Sequence, residues 1–367
     1  MVRNAGGRGR VSRIEVQELT KVYEGRKAVA GISFRVEAGE LCVLLGPSGC
    51  GKSTTLRLIA GLEDPDGGTI RIADREVTHL APKDRRISMV FQSYALFPHL
   101  SVADNITFGL EVRGVPKAER RERLGKVAAL VGLTDYLKRK PGQMSGGQRQ
   151  RVALARAIIA EQPVCLMDEP LSNLDAKLRG EMRVEIRALQ QRLGLSMIYV
   201  THDQIEAMTM ADKVILMKDG HIEQAGTPAE LYERPATTFA ARFIGAPSMN
   251  LMRFGGPADP ILGVRAEHMR LGPPTGDARD ATVASIEYLG ADTIVGLART
   301  PDETVAVRLP GRAGVRVGER TGLAWEPAHE HHFDGASGRR IVSPPTGTAA
   351  SAGLPASAAA IPETTSL

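Results

Sequence analysis

Residues Gly46-Pro47-Ser48-Gly49-Cys50-Gly51-Lys52-Ser53-Thr54 have the spacing of a phosphate cradle. The glycines allow successive backbone N–H groups to turn inward on α- and β-phosphates. Lys52 has the reach to meet β/γ oxygens, and the Ser53 hydroxyl can ligate Mg2+. Asp168-Glu169 closes the apolar run Val164-Cys165-Leu166-Met167. An Asp there suits Mg2+, and the Glu suits polarising a water for attack on a γ-phosphorus. Thr201-His202-Asp203 ends another apolar run, Met197-Ile198-Tyr199-Val200. His202 is placed to hydrogen-bond a γ-phosphate; the plainer alternative is a loop histidine packed for structure. Gln92, at the end of Met89-Val90-Phe91, either faces solvent or touches Mg2+ and the attacking water. Tyr23 could stack on an adenine ring, although a lone tyrosine here also fits as a packed strand residue. Ser145-Gly146-Gly147-Gln148 opens a helix over Arg149 to Ala160, offering a second helix N-terminus to an anion; on its own the stretch reads as an ordinary N-cap. Inside the loop, the inward N–H groups and Lys52 are expected to favour the thiolate of Cys50.

These residues need elements to hold them. Leu41-Cys42-Val43-Leu44-Leu45 reads as a buried strand before the loop, and Thr55 to Ala60 as a helix after it. Arg13 to Phe34 alternates around Glu24-Gly25-Arg26 as a hairpin would, and Thr69 to Ile72 is a short strand. Helical periodicity runs from Val102 to Tyr136, and an amphipathic helix from Ala176 to Leu193. Val214 to Gly220 and Ile222 to Gly226 look like a further hairpin. Alternating strands and helices argue for a mainly parallel sheet wrapped by helices. After Phe243-Ile244-Gly245-Ala246-Pro247 the helices stop. Short segments such as Ile261 to Val264, Thr282 to Ile286 and Thr304 to Val307, separated by Gly/Pro turns, predict a small β barrel or sandwich. From Val342 the composition is Ala, Pro, Ser and Thr, which predicts disorder.

A chain of 367 residues has room for two domains. Its 43% hydrophobic and 24% charged content is that of a water-soluble globular protein. No apolar run approaches the ~18–20 residues of a membrane span. Met1 to Arg10 is basic and glycine-rich without an apolar stretch behind it, so it does not read as a secretory signal. The 3 cysteines form neither a disulfide nor a zinc pattern, as suits a reducing cytosol. A net charge of +5 with dispersed Lys and Arg and 4% aromatics points to a solvated basic surface rather than to nucleic acid.

Taken together, these motifs resemble the ATP-binding subunit of an ABC transporter. Ser145-Gly146-Gly147-Gln148 matches that superfamily's signature, with Met144 in place of the usual leucine. The resemblance implies ATP and Mg2+ as ligands, and an α/β ATPase domain with a mainly parallel sheet and a helical subdomain. It aligns Tyr23 with the adenine-stacking position, Gln92 with the Q-loop and Asp168-Glu169 with the Walker B pair. Ser172-Asn173-Leu174-Asp175 matches the D-loop and His202 the switch histidine. Phe91 to Leu100, Tyr199 to Gln204 and Phe243 to Asn250 look like the carbohydrate-importer branch, the relatives of the maltose importer ATPase. That branch carries a C-terminal OB-like regulatory domain, to which Gly263-Val264-Arg265-Ala266-Glu267-His268 belongs by resemblance. Tyr288-Leu289-Gly290-Ala291-Asp292 and Phe333-Asp334-Gly335 look most like the sn-glycerol-3-phosphate importer ATPase.

The resulting organisation is a flexible basic stretch over 1–12, an ATPase domain over 13–245 with a helical subdomain about 93–160, an OB-like domain over 246–340 and a disordered tail over 341–367. The Leu251 to Leu262 stretch is shorter than in relatives, so the OB-like domain is expected to be trimmed. Implied partners are a second ATPase subunit, integral-membrane permeases and, indirectly, an extracytoplasmic solute-binding protein, with no nucleic acid. The implied place is the cytoplasmic face of the inner membrane. Import of maltose or another sugar is the alternative. A soluble ABC ATPase of DNA repair is more distant, because no heptad run separates Lys52 from Ser145.

Overall fold

The apolar runs that flank the candidate residues form strands buried on both faces. The computed structural model describes residues 12–256 and 259–341; the basic N-terminal stretch through residue 11 and the tail from residue 342 lie outside the described residues. The chain divides into two compact units, one running to Ala236 and adding Phe243–Gly245, the other comprising Thr237–Arg242 and the chain from Ala246.

In the first unit, β1 (Ile14–Tyr23) and β2 (Arg26–Val36) form the hairpin about Glu24-Gly25. Strand β3 (Leu41–Leu45) and helix α1 (Lys52–Ala60) follow. The chain then returns to pair β4 (Gly67–Ile72) with β1, and β5 (Arg75–Glu76) with β4. The result is a four-stranded antiparallel sheet. A six-stranded sheet is built on β3 together with β6 (Ile87–Val90), β7 (Val164–Asp168), β8 (Ser196–Thr201), β9 (Lys213–Lys218) and β10 (His221–Gly226), in the order β10-β9-β3-β8-β7-β6. All its pairings are parallel except β9 with β10. Every residue of β3, β7 and β8 is buried, as expected of parallel strands covered on both faces.

Helix α1 explains how two sheets share one core. Its Leu56, Leu58 and Ile59 join Ile14, Val16 and Ile70 of the antiparallel sheet and Leu44, Leu166 and Ile198 of the parallel one. Each such side chain contributes about 1.5–3 kcal/mol on full burial. Between β6 and β7 the chain forms the helices α2 (Val102–Val112), α3 (Lys117–Leu130) and α4 (Gly146–Ile159). Helix α5 (Ala176–Leu193) follows β7, and α6 (Gln204–Met210) follows β8.

The second unit is all-β apart from short helical turns and one short helix. Strands β11 (Asn250–Met252) and β12 (Ile261–Val264) pair antiparallel. Among the later strands, β13 (Arg270–Gly272), β14 (Asp280–Tyr288), β15 (Asp292–Thr300), β16 (Glu303–Pro310) and β17 (Arg320–Ala324) form a five-stranded sheet, while β18 (His331–Phe333) completes a three-stranded one with β12. Val264, Val283, Val295, Leu297, Val305, Val307 and Leu323 make its core.

Candidate functional site

Parallel pairing puts the chemically capable strand ends on one edge. The registers Leu45↔Thr201, Val200↔Asp168 and Met167↔Val90 align the C-terminal ends of β3, β8, β7 and β6. Open α/β sheets bind ligands just beyond such ends.

The loop between β3 and α1 is shaped by backbone crowding. Gly46 has φ 153°, and a Cβ there would lie 2.3 Å from the Met217 carbonyl oxygen. Gly51 has φ 102°, and its Cβ would lie 2.3 Å from the Ala28 carbonyl oxygen. Any larger residue would push the loop off β9 or β2. Pro47, Ser48 and Gly49 form the outer arch of the loop, with Ser48 and Gly49 exposed. Lys52 is 5% exposed, and its Nζ donates to the carbonyls of Gly46 at 2.7 Å and Pro47 at 2.9 Å. Ser53 Oγ donates to Asp168 Oδ1 at 2.7 Å, which joins the loop helix to the end of β7. Thr54 sits half-buried in the first turn of α1.

Glu169 is the point of convergence. Its backbone holds φ 42°, a region that non-glycine residues seldom occupy. Its N–H donates to the Val200 carbonyl at 3.0 Å, tying that turn to β8. Its Oε2 meets Gln92 Nε2 at 3.3 Å and His202 Nδ1 at 3.2 Å. The structure thus brings together Ser53, Gln92, Asp168, Glu169 and His202 from four strand ends. Asp203 holds the His202 turn, capping α6 through the Ile205 N–H at 2.7 Å and pairing with Arg179 at 3.4 Å.

Three supporting side chains carry no positioning signal in the local sequence. Asn173 Nδ2 donates to the Gln92 carbonyl at 2.9 Å, and Ser172 Oγ donates to the Glu169 carbonyl at 2.9 Å. Arg156 of α4 donates to the Tyr94 and Ala95 carbonyls at 2.7 and 2.6 Å, anchoring two residues of positive φ just after Gln92. Ser172 and Asn173 stand out in the sequence only through the D-loop resemblance. Nothing in the local pattern marks Arg156, because its partners lie 61 and 62 residues away.

Cys50 corrects a sequence expectation. The residue is 3% exposed, and burial pushes its thiol pKa up despite the neighbouring Lys52, which pulls it down. Desolvation outweighs the local positive charge, so the thiol form is favoured. Tyr23 is 43% exposed. Its hydroxyl donates to Glu63 Oε2, and chiefly that bond pushes its pKa up to about 12.

Ser145 and Gln148 form a reciprocal capping box on α4: Ser145 Oγ accepts from the Gln148 N–H at 3.3 Å, and Gln148 Oε1 accepts from the Ser145 N–H at 3.0 Å. Gly147 lets α4 approach α5, since a Cβ there would lie 2.9 Å from both Leu178 methyl carbons. Asp175 caps α5 through the Leu178 N–H at 2.9 Å. Among the described residues, no hydrogen bond or ion pair links Ser145, Gly146, Gly147 or Gln148 to the phosphate loop or to Glu169. The single chain therefore presents a glycine-rich loop with carboxylates beside it and, among the described residues, a helix N-terminus hydrogen-bonded to neither.

Comparison with known proteins agrees with this geometry. Residues 29–172 match the ABC transporter family model, and residues 262–333 match the TOBE domain. The chain is 50% identical over 342 residues to the sn-glycerol-3-phosphate import ATP-binding protein UgpC of Chromohalobacter salexigens, covering 86% of this chain and 92% of that protein. It is 45% identical over 374 residues to the diacetylchitobiose uptake system ATP-binding protein MsiK of Streptomyces coelicolor, covering 90% of this chain and 99% of that protein. Among solved structures, a dimeric ATP-binding cassette in a post-hydrolysis state bound to ADP and Pi matches with a TM-score of 0.52 and 30% identity, covering 59% of this chain and 98% of that one. A phosphate loop, strand-end carboxylates and a C-terminal TOBE unit in one chain, with relatives of this identity along nearly their whole length, make it a member of the ATP-binding subunits of ABC transporters.

Proposed function

We propose that this chain hydrolyses ATP to power an importer of sn-glycerol-3-phosphate. The observation that carries the catalytic part is the meeting of Glu169 with both Gln92 and His202, next to the Ser53–Asp168 link. Relatives named for sn-glycerol-3-phosphate import support the solute. The similarity to a diacetylchitobiose uptake protein keeps a sugar as the second reading.

In this reading the ATP phosphates lie along Gly46, Pro47, Ser48, Gly49, Cys50, Gly51, Lys52, Ser53 and Thr54, where the dipole of α1 and the loop N–H groups neutralise charge. Tyr23 stacks on the adenine. Mg2+ would be held by Ser53, Asp168 and the Gln92 amide oxygen, hard oxygen donors of the kind it takes, and would neutralise charge on the phosphate oxygens. The 2.7 Å spacing of the Ser53 and Asp168 oxygens supports that fit. Glu169 Oε2 accepts the proton of the attacking water, Gln92 orients that water, and His202 donates to the γ-phosphate.

Ser145, Gly146, Gly147 and Gln148, with Asp175, serve the nucleotide of a second copy of the chain. That, among the described residues, no hydrogen bond joins Ser145, Gly146, Gly147 or Gln148 to this chain's own phosphate loop supports a composite site in a dimer. Residues 13–245 constitute the ATPase part, with the helical subdomain about 93–160. Residues 246–340 constitute a shortened OB-like regulatory part, and the change of compact unit around residue 246 supports that boundary. Among the described residues no helix is long and apolar enough to cross a membrane. Relatives named as import ATP-binding proteins support a subunit that works bound to permeases at the cytoplasmic face, with a solute-binding protein acting on the far side.

Uptake of radiolabelled sn-glycerol-3-phosphate by cells with and without this chain tests the solute. Uptake should vanish on deletion, return with the wild-type chain and not return with Glu169→Gln. Unchanged sn-glycerol-3-phosphate uptake, with loss of maltose or chito-oligosaccharide uptake instead, selects the sugar reading.

A further inference from the structure

A second concavity lies at the opposite end of the strands that carry the carboxylates. Ser88, Cys165 and Met197 are paired in register across β6, β7 and β8, each the second residue of its strand. They floor a cleft of about 470 Å3. Its walls come from three helices: Val127 and Leu130 of α3, Leu154 and Ile158 of α4, and Ile186 and Leu193 of α5.

The polar groups of this lining already have partners. Gln190 Nε2 donates to the carbonyls of Gly39 and Leu195, both at 2.8 Å, and its Oε1 accepts from Arg187 at 2.9 Å. Ser88 Oγ donates to the Val164 carbonyl at 3.4 Å. The rim charges are paired as well: Arg123 with Glu119 and, at 3.2 Å, with Glu161; Lys126 with Glu122 at 2.6 Å. Burial pushes the Cys165 thiol up to about 11, so the floor is uncharged at neutral pH.

Such a space offers water few partners, and apolar cavities of this kind take apolar guests. The volume is that of a small-molecule pocket, about 300–1,000 Å3. The charged side chains stand in ion pairs at the rim, whereas a charged ligand seated deeper, against Met197, Leu154 and Ile186, would lose its hydration with no polar group there to replace it. We propose that this cleft is a binding site for a small, uncharged, apolar molecule. An occupant touches α3 and α4 on one side and α5 with the sheet on the other, so it ties the helical segment to the strands that end at Asp168 and Thr201.

The test uses the full chain and N-phenyl-1-naphthylamine, an uncharged dye whose emission rises on leaving water. Binding should be saturable at one dye per chain. It should weaken at least tenfold both in Leu193→Glu, which sets a carboxylate in the apolar wall, and in Ile158→Trp, which fills the space. Leu193 is 39% exposed, so the first variant retains its fold; thermal melting and MgATP binding verify both. Phe108→Ser is the control for the other apolar surface, where Phe97 and Phe108 pack with ring centroids 4.5 Å apart. A wild-type chain without saturable dye binding overturns the proposal. So does binding that survives both cleft variants, or that only Phe108→Ser abolishes.

Discussion

Replacing Glu169 by Gln isolates the proposed proton-accepting role from everything else the residue does. The substitution keeps the side-chain shape and the unusual φ of 42°. Gln92 Nε2 at 3.3 Å and His202 Nδ1 at 3.2 Å both meet the one oxygen Oε2, so a rotamer of the new side chain with its amide oxygen in that place can still accept from both N–H groups. The Ser53–Asp168 link is untouched. What disappears is basicity alone. Loss of a positioned general base costs about 10²–10⁴ in turnover, or roughly 3–5.5 kcal/mol of barrier at about 1.36 kcal/mol per decade. MgATP affinity should stay within about threefold, because the lost interaction belongs to the transition state. Phosphate release at saturating MgATP measures the first effect, a fluorescent nucleotide titration the second, and sedimentation should show an ATP-trapped dimer. Turnover within about threefold of wild type would refute the assignment of Glu169 as base.

Gly147→Ala places a methyl 2.9 Å from both Leu178 methyl carbons. Overpacking of about 1–3 kcal/mol should lower the melting temperature by about 2–10 °C. Adding Leu178→Ala should restore most of it; no recovery would mean that the crowding lies elsewhere. All three cysteines are buried and burial raises each thiol pKa, so a maleimide at pH 7 should label the native chain slowly and the guanidinium-unfolded chain promptly. Prompt native labelling at Cys50 would contradict its desolvation. His331 is held down at about 4 from 6.5, by burial first and then by the Arg340 and Arg265 charges. The unfolded chain therefore binds this proton more readily, and the second unit should lose stability as pH falls from 6.5 toward 4. Melting at pH 7.5 and pH 5 should show a smaller drop in His331→Gln than in wild type, and an equal drop would discount the buried imidazole.

Local chemistry makes much of the site legible along the chain. The glycines, Lys52 and Ser53 sit between an apolar run and a helix-forming run, and a strand–loop–helix follows from neighbours in sequence. Ser145 is readable at a helix start because a cap bonds an N–H three residues on. The apolar runs before Asp168 and His202 announce buried parallel strands. Contacts that depend on strand register are not legible. Ser53 reaches Asp168 across 115 residues only because β7 and β8 align beside β3. Cys50 shows the limit most clearly. Its sequence neighbours report nearby charge, whereas desolvation by burial in the folded chain pushes its pKa up. Gly147 likewise declares a helix start in the sequence, but the reason no larger residue fits is Leu178, which only the packing of α4 on α5 brings near. Propensity, capping and loop chemistry act over a few residues and can be read along the chain. Register, burial and close approach are set by packing of the whole fold, and only the tertiary structure decides them.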